Sequence, residues 1–564
     1  MTRRKRSVRI EQTLSPFPIW RAHCLCLVPG AIILLCVTPL ISFLLPSTAD
    51  LLTESYEPGK TIRFFATHGA AIHKWGPVPN LFFGPVYALY FFSLRLRGHL
   101  PTLSSHFPYG LSDPLAEIGS MILCARIVGL LVGVTAVYIL TRSLQTSLQN
   151  AIAPFFSVML CTTTSILLLE SFIDTKPDGL MVGLLMVALG QYALLVLRGF
   201  TLTRALALSG FWVASLSCKE LSGATMALPV LFLLVQAATM WKRQQKQAKY
   251  LLIGILSAVP FYLLFNVVYA PHAWLGRMAY VLGPLKDPAI WANASQTDAS
   301  YMRDTVQAIA SALGIGGVLA LVLTVLGSFR YPSPKLFLLW LPFVSHLLLT
   351  TLSAGYMPAY FMLPLGAALT LPSSYVFTQI LQGQREQHDA TRRILALAAC
   401  TVLICLWSGC SATVLFRETH REALEQRWAS ANVPSSETIS VVTLVPTSTE
   451  ATTLANSGFR VDKRPLFQLM EGPIAERPNF LLLPNDVQNW IQGIRQRPAR
   501  AALLWRLTGF DYRRFRSFED LGYRRIADAA PDLPAWCIPV LVAGGSRYLQ
   551  TRLMVYRLDA TAPQ

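Results

Sequence analysis

Apolar runs long enough to cross a bilayer recur from Leu25 almost to Leu415, and ionisable residues fall mainly in the gaps between them. A crossing helix needs roughly 20 apolar residues. Spans are predicted near 24–45, 120–140, 151–169, 179–197, 204–217, 222–240, 251–269, 306–328, 336–352, 360–380 and 394–416. The fifth is short enough to be a half-helix, and residues 201–240 could equally form one broken hairpin. The expected fold class is therefore mainly α, a polytopic transmembrane helical bundle of about 11 spans.

Composition agrees. Of 564 residues 53% are hydrophobic and only 14% charged, against roughly 25% charged in a soluble protein. The formal net charge of +18 would suggest nucleic acid on a soluble chain. Here the basic residues are dispersed at the ends of apolar runs, where they orient a membrane protein. The lipid bilayer, with its anionic headgroups, is the expected partner, and nucleic acid is not. Nine of the ten cysteines lie in or beside apolar segments, and only Cys537 falls in the polar tail. With no C-x-x-C or Cys/His zinc spacing, they read as small apolar residues.

Charge bias sets the topology. The basic start MTRRKRSVRI is expected in the cytoplasm. Alternating spans then put Arg142, the Arg198/Arg204 turn, the WKRQQKQAK hinge, Arg330/Lys335 and Arg385/Arg392/Arg393 on the same inner side. Val78–Leu94 would reverse this if it crossed; interrupted by Pro79, Gly84 and Pro85, it is read as re-entrant or lying in the outer interface. Residues 46–119 then form one large external loop. The first apolar run is long for a signal peptide and holds Pro29 and Pro39, so a retained anchor is expected. After Arg417 the chain turns polar, with strand-like stretches at Ile439–Val445, Asn479–Leu483 and Leu553–Leu558 and a short helix at Asp486–Arg495. The chain thus divides into a membrane part, residues 1–416, and a small external α/β domain, residues 417–564.

The chemistry-bearing candidates share the external side. Asp50 and Glu54 open the first loop; a carboxylate partly shielded at a membrane surface has its pKa raised and suits general-base work. Solvated loop acids are the plain alternative. His73-Lys74-Trp75 follows, and a lysine there suits a phosphate, or merely snorkels to water. In the turn Asp174-Thr-Lys176-Pro-Asp178, Asp178 can simply cap the next helix at its positive end. Lys219 sits between two short apolar segments, where broken helices point at anionic ligands, or it pairs with Glu220. The loop Pro271–Arg303, with Trp274, Arg277, Tyr280 and Lys286, reads as an interfacial belt.

Taken in order, Thr53-Glu54, His73-Lys74-Trp75-Gly76-Pro77, Arg126, Lys176-Pro177-Asp178, Ser217-Cys218-Lys219 and Tyr360-Phe361-Met362-Leu363-Pro364 resemble the motifs of the GT-C superfamily of membrane glycosyltransferases. The group is similar to protein O-mannosyltransferases and the lipid A aminoarabinose transferase. Threonine stands where that family's acidic pair usually begins, so Glu54 or Asp50 is left as the base. The resemblance implies a GT-C bundle that takes a polyprenyl-phosphate-linked sugar donor and transfers the sugar to a hydroxyl acceptor with inversion. Lys74 and Lys219 would stabilise the leaving phosphate, with His73 beside them, and Asp178 would hold the acceptor or order the loop. No cofactor is implied. Lacking Asp-x-Asp in the first external loop, the chain is not expected to need a metal, although a divalent ion is not ruled out. The implied location is the cell membrane, multi-pass, with the N-terminus cytoplasmic and the C-terminal domain periplasmic or extracellular. A transporter or flippase of a lipid-linked sugar, and a GT-C-like pseudoenzyme or assembly protein, are the alternatives.

Overall fold

The computed structural model describes residues 19–42, 61–62, 64–65, 76–99, 111–173, 177–268, 271–272, 274–275, 277–278, 298–353, 359–384, 390–434, 436–442, 454, 458–462, 464, 468, 476–484, 517–540 and 552–559. Among these, nine helices are long and apolar enough to cross a membrane. A bent helix pair and one shorter apolar helix, Leu202–Leu216, accompany them. All eleven predicted spans are accounted for, and the chain is a multi-pass membrane protein.

The elements in order are α1 (Ile19–Ile41), α2 (Val78–Leu96), α3 (Pro114–Leu148), α4 (Ile152–Thr162), α5 (Ile166–Ile173), α6 (Pro177–Arg198) and α7 (Leu202–Leu216). Next come α8 (Leu221–Lys242), α9 (Lys246–Leu256), α10 (Asp298–Arg330), α11 (Pro334–Ser353), α12 (Pro364–Gln384), α13 (Ala390–Thr419) and α14 (Arg421–Asn432). The α9 span continues through Ala258–Tyr262 into one π-helical turn, Leu263–Val268. A 3₁₀ turn, Ala359–Met362, leads into α12. The centre of the bundle is α6 and α12: their apolar windows are 72% and 89% buried, whereas α13 is 28% buried and faces outward.

Residues 151–169 are not the straight span predicted. The helix breaks after Thr162 and turns by 80° into α5. The break falls in Thr162-Thr-Thr-Ser165, whose hydroxyls compete for backbone groups. In hydrocarbon, freed backbone groups need partners, and the break supplies them. Ser408 Oγ donates to the Thr164 carbonyl (3.2 Å), and Ser165 Oγ accepts from Leu168 N (3.2 Å). Gly316 N donates to Thr164 Oγ1 at 3.1 Å. Helix α10 meets this break at Gly314, which has φ +65°; a Cβ there would run into the Thr164 carbonyl.

Val78–Leu96 is a continuous helix, so the prolines do not interrupt it as the sequence suggested. Pro79 lies in the first turn, where its missing N–H is harmless, and Pro85 is accommodated inside. Its buried face, Phe83, Tyr87, Phe91 and Leu94, packs on Ile118, Met121, Ile122 and Ala125 of α3. At 35 residues α3 is about 52 Å long, well beyond a hydrocarbon core of about 30 Å. The α2 helix therefore rests on the part of α3 nearest its N-terminus and is not among the nine apolar spans.

Chain connectivity fixes two ends of the bundle. The starts of α6 and α8 and the ends of α5, α7, α9 and α13 gather at one end. The basic hinges Arg198–Arg204, Lys242–Lys246, Arg330–Lys335 and Arg392–Arg393 lie at the other. Arg198 donates to the Thr146 carbonyl there (Nε 3.0 Å, Nη2 2.8 Å), tying α6 to α3.

From the end of α13, α14 leads to a five-stranded sheet of order β2-β1-β3-β5-β4. The strands are β1 (Thr438–Val441), β2 (Arg460–Val461), β3 (Phe480–Pro484), β4 (Tyr523–Ala529) and β5 (Leu553–Leu558). The strand β1 runs parallel to β2 and β3, and β5 is antiparallel to β3 and β4. Leu424 and Ala429 of α14, with Val433 just after it, pack on Ile439, Phe480, Leu482 and Val555. Three of these strands were expected. Tyr523–Ala529 (YRRIADA) was missed because an exposed edge strand lacks apolar alternation. The helix expected at 486–495 lies outside the described residues.

Candidate active site

Lys219 is the centre of the site. It sits in the turn between α7 and α8 and is 1% exposed, an unusual place for an ammonium group. Its Nζ lies 2.7 Å from Asp178 Oδ1 and 4.3 Å from the centroid of the Tyr360 ring. Asp178 occupies the first turn of α6, behind Pro177 at the helix start, where the positive end of the helix dipole favours a carboxylate. Tyr360 comes from the 3₁₀ turn before α12. Three motifs 41 to 182 residues apart in sequence, from Asp178 to Tyr360, thus meet around one cation. The alternative of a Lys219–Glu220 pair does not hold, since Lys219 takes Asp178 and Glu220 takes another partner.

That partner is Arg277. The interfacial belt expected for its loop does not describe this residue, which is 3% exposed. Its Nε donates to Glu220 Oε1 (2.6 Å), Nη1 to Asn266 Oδ1 (2.9 Å) and Nη2 to the Leu216 carbonyl (3.3 Å). Asn266 lies in the π-helical turn ending the α9 span and donates from Nδ2 to Ser217 Oγ at 2.6 Å. π-Helical turns recur at functional sites because they re-aim side chains. Here the turn carries an amide to the Lys219 loop. The only sequence signal was one asparagine in the apolar run Phe-Asn-Val-Val.

A second buried polar chain supports Tyr360. His346 of α11 is 0% exposed, with Nδ1 3.0 Å from Thr225 Oγ1 and Nε2 2.8 Å from the Phe361 carbonyl. Because a carbonyl only accepts, Nε2 carries the proton, and Nδ1 accepts from the threonine hydroxyl. The imidazole braces the backbone beside Tyr360 against α8 and α11. In Leu-Pro-Phe-Val-Ser-His-Leu it read as part of an apolar run.

The segment entering α2 docks on the same turn. Gly76 N donates to the Cys218 carbonyl and Val78 N to the Ser217 carbonyl, each at 3.4 Å. A Cβ on Gly76 would collide with the Ser217 carbonyl oxygen and Arg277 Nη1. Gly76→Ala is accordingly expected to push this segment off the Lys219 turn. A displacement of about 1 Å near reacting groups can cost about 10²-fold in rate, so turnover at this site should fall on that scale. An unchanged rate would mean that the Gly76 contact does not shape the site.

Asp50, Glu54, His73 and Lys74 lie outside the described residues. Arg126 of α3 donates from Nη1 to the Ile41 carbonyl (3.1 Å) at the end of α1, the helix from which the Asp50–Glu54 stretch follows. Among the described residues no three His, Cys, Asp or Glu side chains gather as a metal-ligand set.

No protein-family model matches the sequence, and no curated protein does either. Solved structures are similar to it. ArnT from Cupriavidus metallidurans bound to undecaprenyl phosphate has a TM-score of 0.45 and 11% identity, covering 97% of this chain and 99% of that one. The oligosaccharyltransferase of Archaeoglobus fulgidus in the apo form has a TM-score of 0.42 and 10% identity, covering 85% and 71%. Archaeal AglB from the same organism, in complex with an inhibitory peptide and a dolichol-phosphate, has 0.40 and 10%, again covering 85% and 71%. With TM-scores this low, the chemistry has to be read from the Lys219 site itself.

Proposed function

We propose that this chain is an integral membrane glycosyltransferase that takes a sugar from a polyprenyl-phosphate donor. The supporting observation is the buried Lys219, held by Asp178 and Tyr360 where α6, α7, α8 and α12 meet at one end of the bundle. The basic hinges between the spans, Arg198–Arg204, Lys242–Lys246, Arg330–Lys335 and Arg392–Arg393, lie at the opposite end, and the positive-inside bias supports an external site and C-terminal domain.

Glu54 or Asp50 removes the proton of an acceptor hydroxyl, whose oxygen then attacks the anomeric carbon. The bond from that carbon to the phosphate oxygen breaks, and its electron pair leaves with the phosphate, so the configuration inverts. Lys219 faces the growing negative charge, the electrostatic effect that commonly contributes most to such catalysis. Lys74, two residues before Gly76 in the sequence, supplies a second cation, with His73 preceding it in the chain. Asp178 neutralises Lys219, and a bound phosphate would share that lysine.

Purified protein in liposomes, given a polyprenyl-phosphate sugar labelled in the sugar, tests the reading. Release of free polyprenyl phosphate with label on an acceptor or water is the expected result. Movement of intact donor between leaflets without cleavage would replace the transferase by a flippase.

A further inference from the structure

Where the C-terminal domain meets the bundle, the chain leaves a short apolar segment at a depth where the surroundings are lipid. Helix α13 carries Arg392 at one end and Arg417 in its last turn, 25 residues apart, about 37 Å. With a hydrocarbon core of about 30 Å, both arginines reach the headgroups and most of the stretch between them spans the hydrocarbon. Trp407 lies ten residues, about 15 Å, inward from Arg417. Its indole N–H donates to the Trp536 carbonyl at 3.2 Å. Cys537 is fully buried and Val540 is 1% exposed, both in the core shared with the membrane helices.

Much of the rest of this segment is open to its surroundings. Pro534, Ala535, Trp536, Ile538 and Pro539 are exposed, Trp536 at 46% and Ile538 at 47%. Asp532, at its root, is exposed, and Arg427 of α14 pairs with Glu418 at the end of α13. On α13 the exposed Leu403 lies one turn from Trp407, so the uncovered apolar surface continues the outward face of the helix.

Irregular backbone is costly in hydrocarbon because each unpaired N–H costs several kcal/mol. This segment reduces that cost by composition. Pro531, Pro534 and Pro539 have no N–H, and Cys537 N donates to the Pro534 carbonyl in a 3₁₀ turn. The Trp536 carbonyl accepts from the Trp407 indole, giving both groups a partner.

We propose that Leu533–Val540 is a membrane-inserted wedge through which the C-terminal domain binds the acyl chains of the adjacent lipid leaflet. The occupant is bilayer lipid, because the patch continues a helix face that the membrane already covers. The wedge fixes the domain over the bundle end that holds Lys219, independently of what that site transfers.

Spin labels on the full-length protein in phospholipid nanodiscs test this, after replacing the exposed Cys24, Cys400 and Cys410 by serine. Labels at Ile538→Cys and, separately, Ala535→Cys are compared with Leu403→Cys on α13 and Asp520→Cys on the domain surface. Power saturation should show collision with oxygen exceeding collision with a water-soluble nickel chelate severalfold at 538 and 535, as at 403. The order should reverse at 520. Nickel accessibility at 538 and 535 equal to that at 520 would put the segment in water and overturn the proposal. Low collision with both reagents would mean that protein, such as a second copy, covers it, and would overturn it equally.

Discussion

Lys219→Met is expected to lower turnover by about 10²- to 10³-fold, the usual loss when one preorganised charge facing a transition state is removed. The buried pair makes the interpretation testable, because either single change leaves an uncompensated charge. Removing one partner of a buried ion pair costs about 3–5 kcal/mol, whereas replacing both with apolar or neutral groups of similar volume is often near neutral. Lys219→Met and Asp178→Asn should therefore each lower the unfolding temperature. The double variant should recover most of it. Activity should not follow the same pattern. If Lys219 carries the phosphate, Asp178→Asn keeps a charged lysine at the site and retains part of the turnover, while the double variant stays as inactive as Lys219→Met. Turnover that tracks stability through all three variants, returning in the double, would reduce the pair to a structural tie across α6 and the α7–α8 turn.

How far the sequence foreshadows this site depends on how far each residue's partners lie from it. Lys219 and Asp178 stood out because an ionisable group in a short turn between apolar runs is costly unless used or paired. Their mutual contact was not visible, since Asp178 is 41 residues away and a nearer acid, Glu220, offered itself. Arg277 was read as part of a belt for a similar reason. Its local window shows an arginine among aromatics, and its buried partners, Glu220 and Asn266, are supplied by the three-dimensional fold. Asn266 and His346 are single polar residues in otherwise apolar runs, and hydropathy averages such residues away. The same averaging hid the break at Thr163–Ser165, where threonine scores as nearly apolar yet its hydroxyl competes for the backbone. The long spans were legible throughout because hydrocarbon imposes length and polarity at once.

The base presents the second large effect. Glu54→Gln keeps size and hydrogen bonding but cannot take a proton, so turnover should fall by about 10²- to 10⁴-fold if Glu54 is the general base. Asp50→Asn should then have a much smaller effect. The pH profile separates loss of a base from loss of fold. A carboxylate base works only when deprotonated, so kcat/KM should fall on the acid side of its pKa. In Glu54→Gln that acid limb should disappear, leaving a low rate independent of pH over the same range, while donor still binds. Should Asp50→Asn remove the limb instead, the base belongs four residues upstream, in keeping with threonine at position 53. Full turnover with an intact limb in both variants would deprive the acceptor hydroxyl of either carboxylate, and the inverting mechanism written around these two residues would fail.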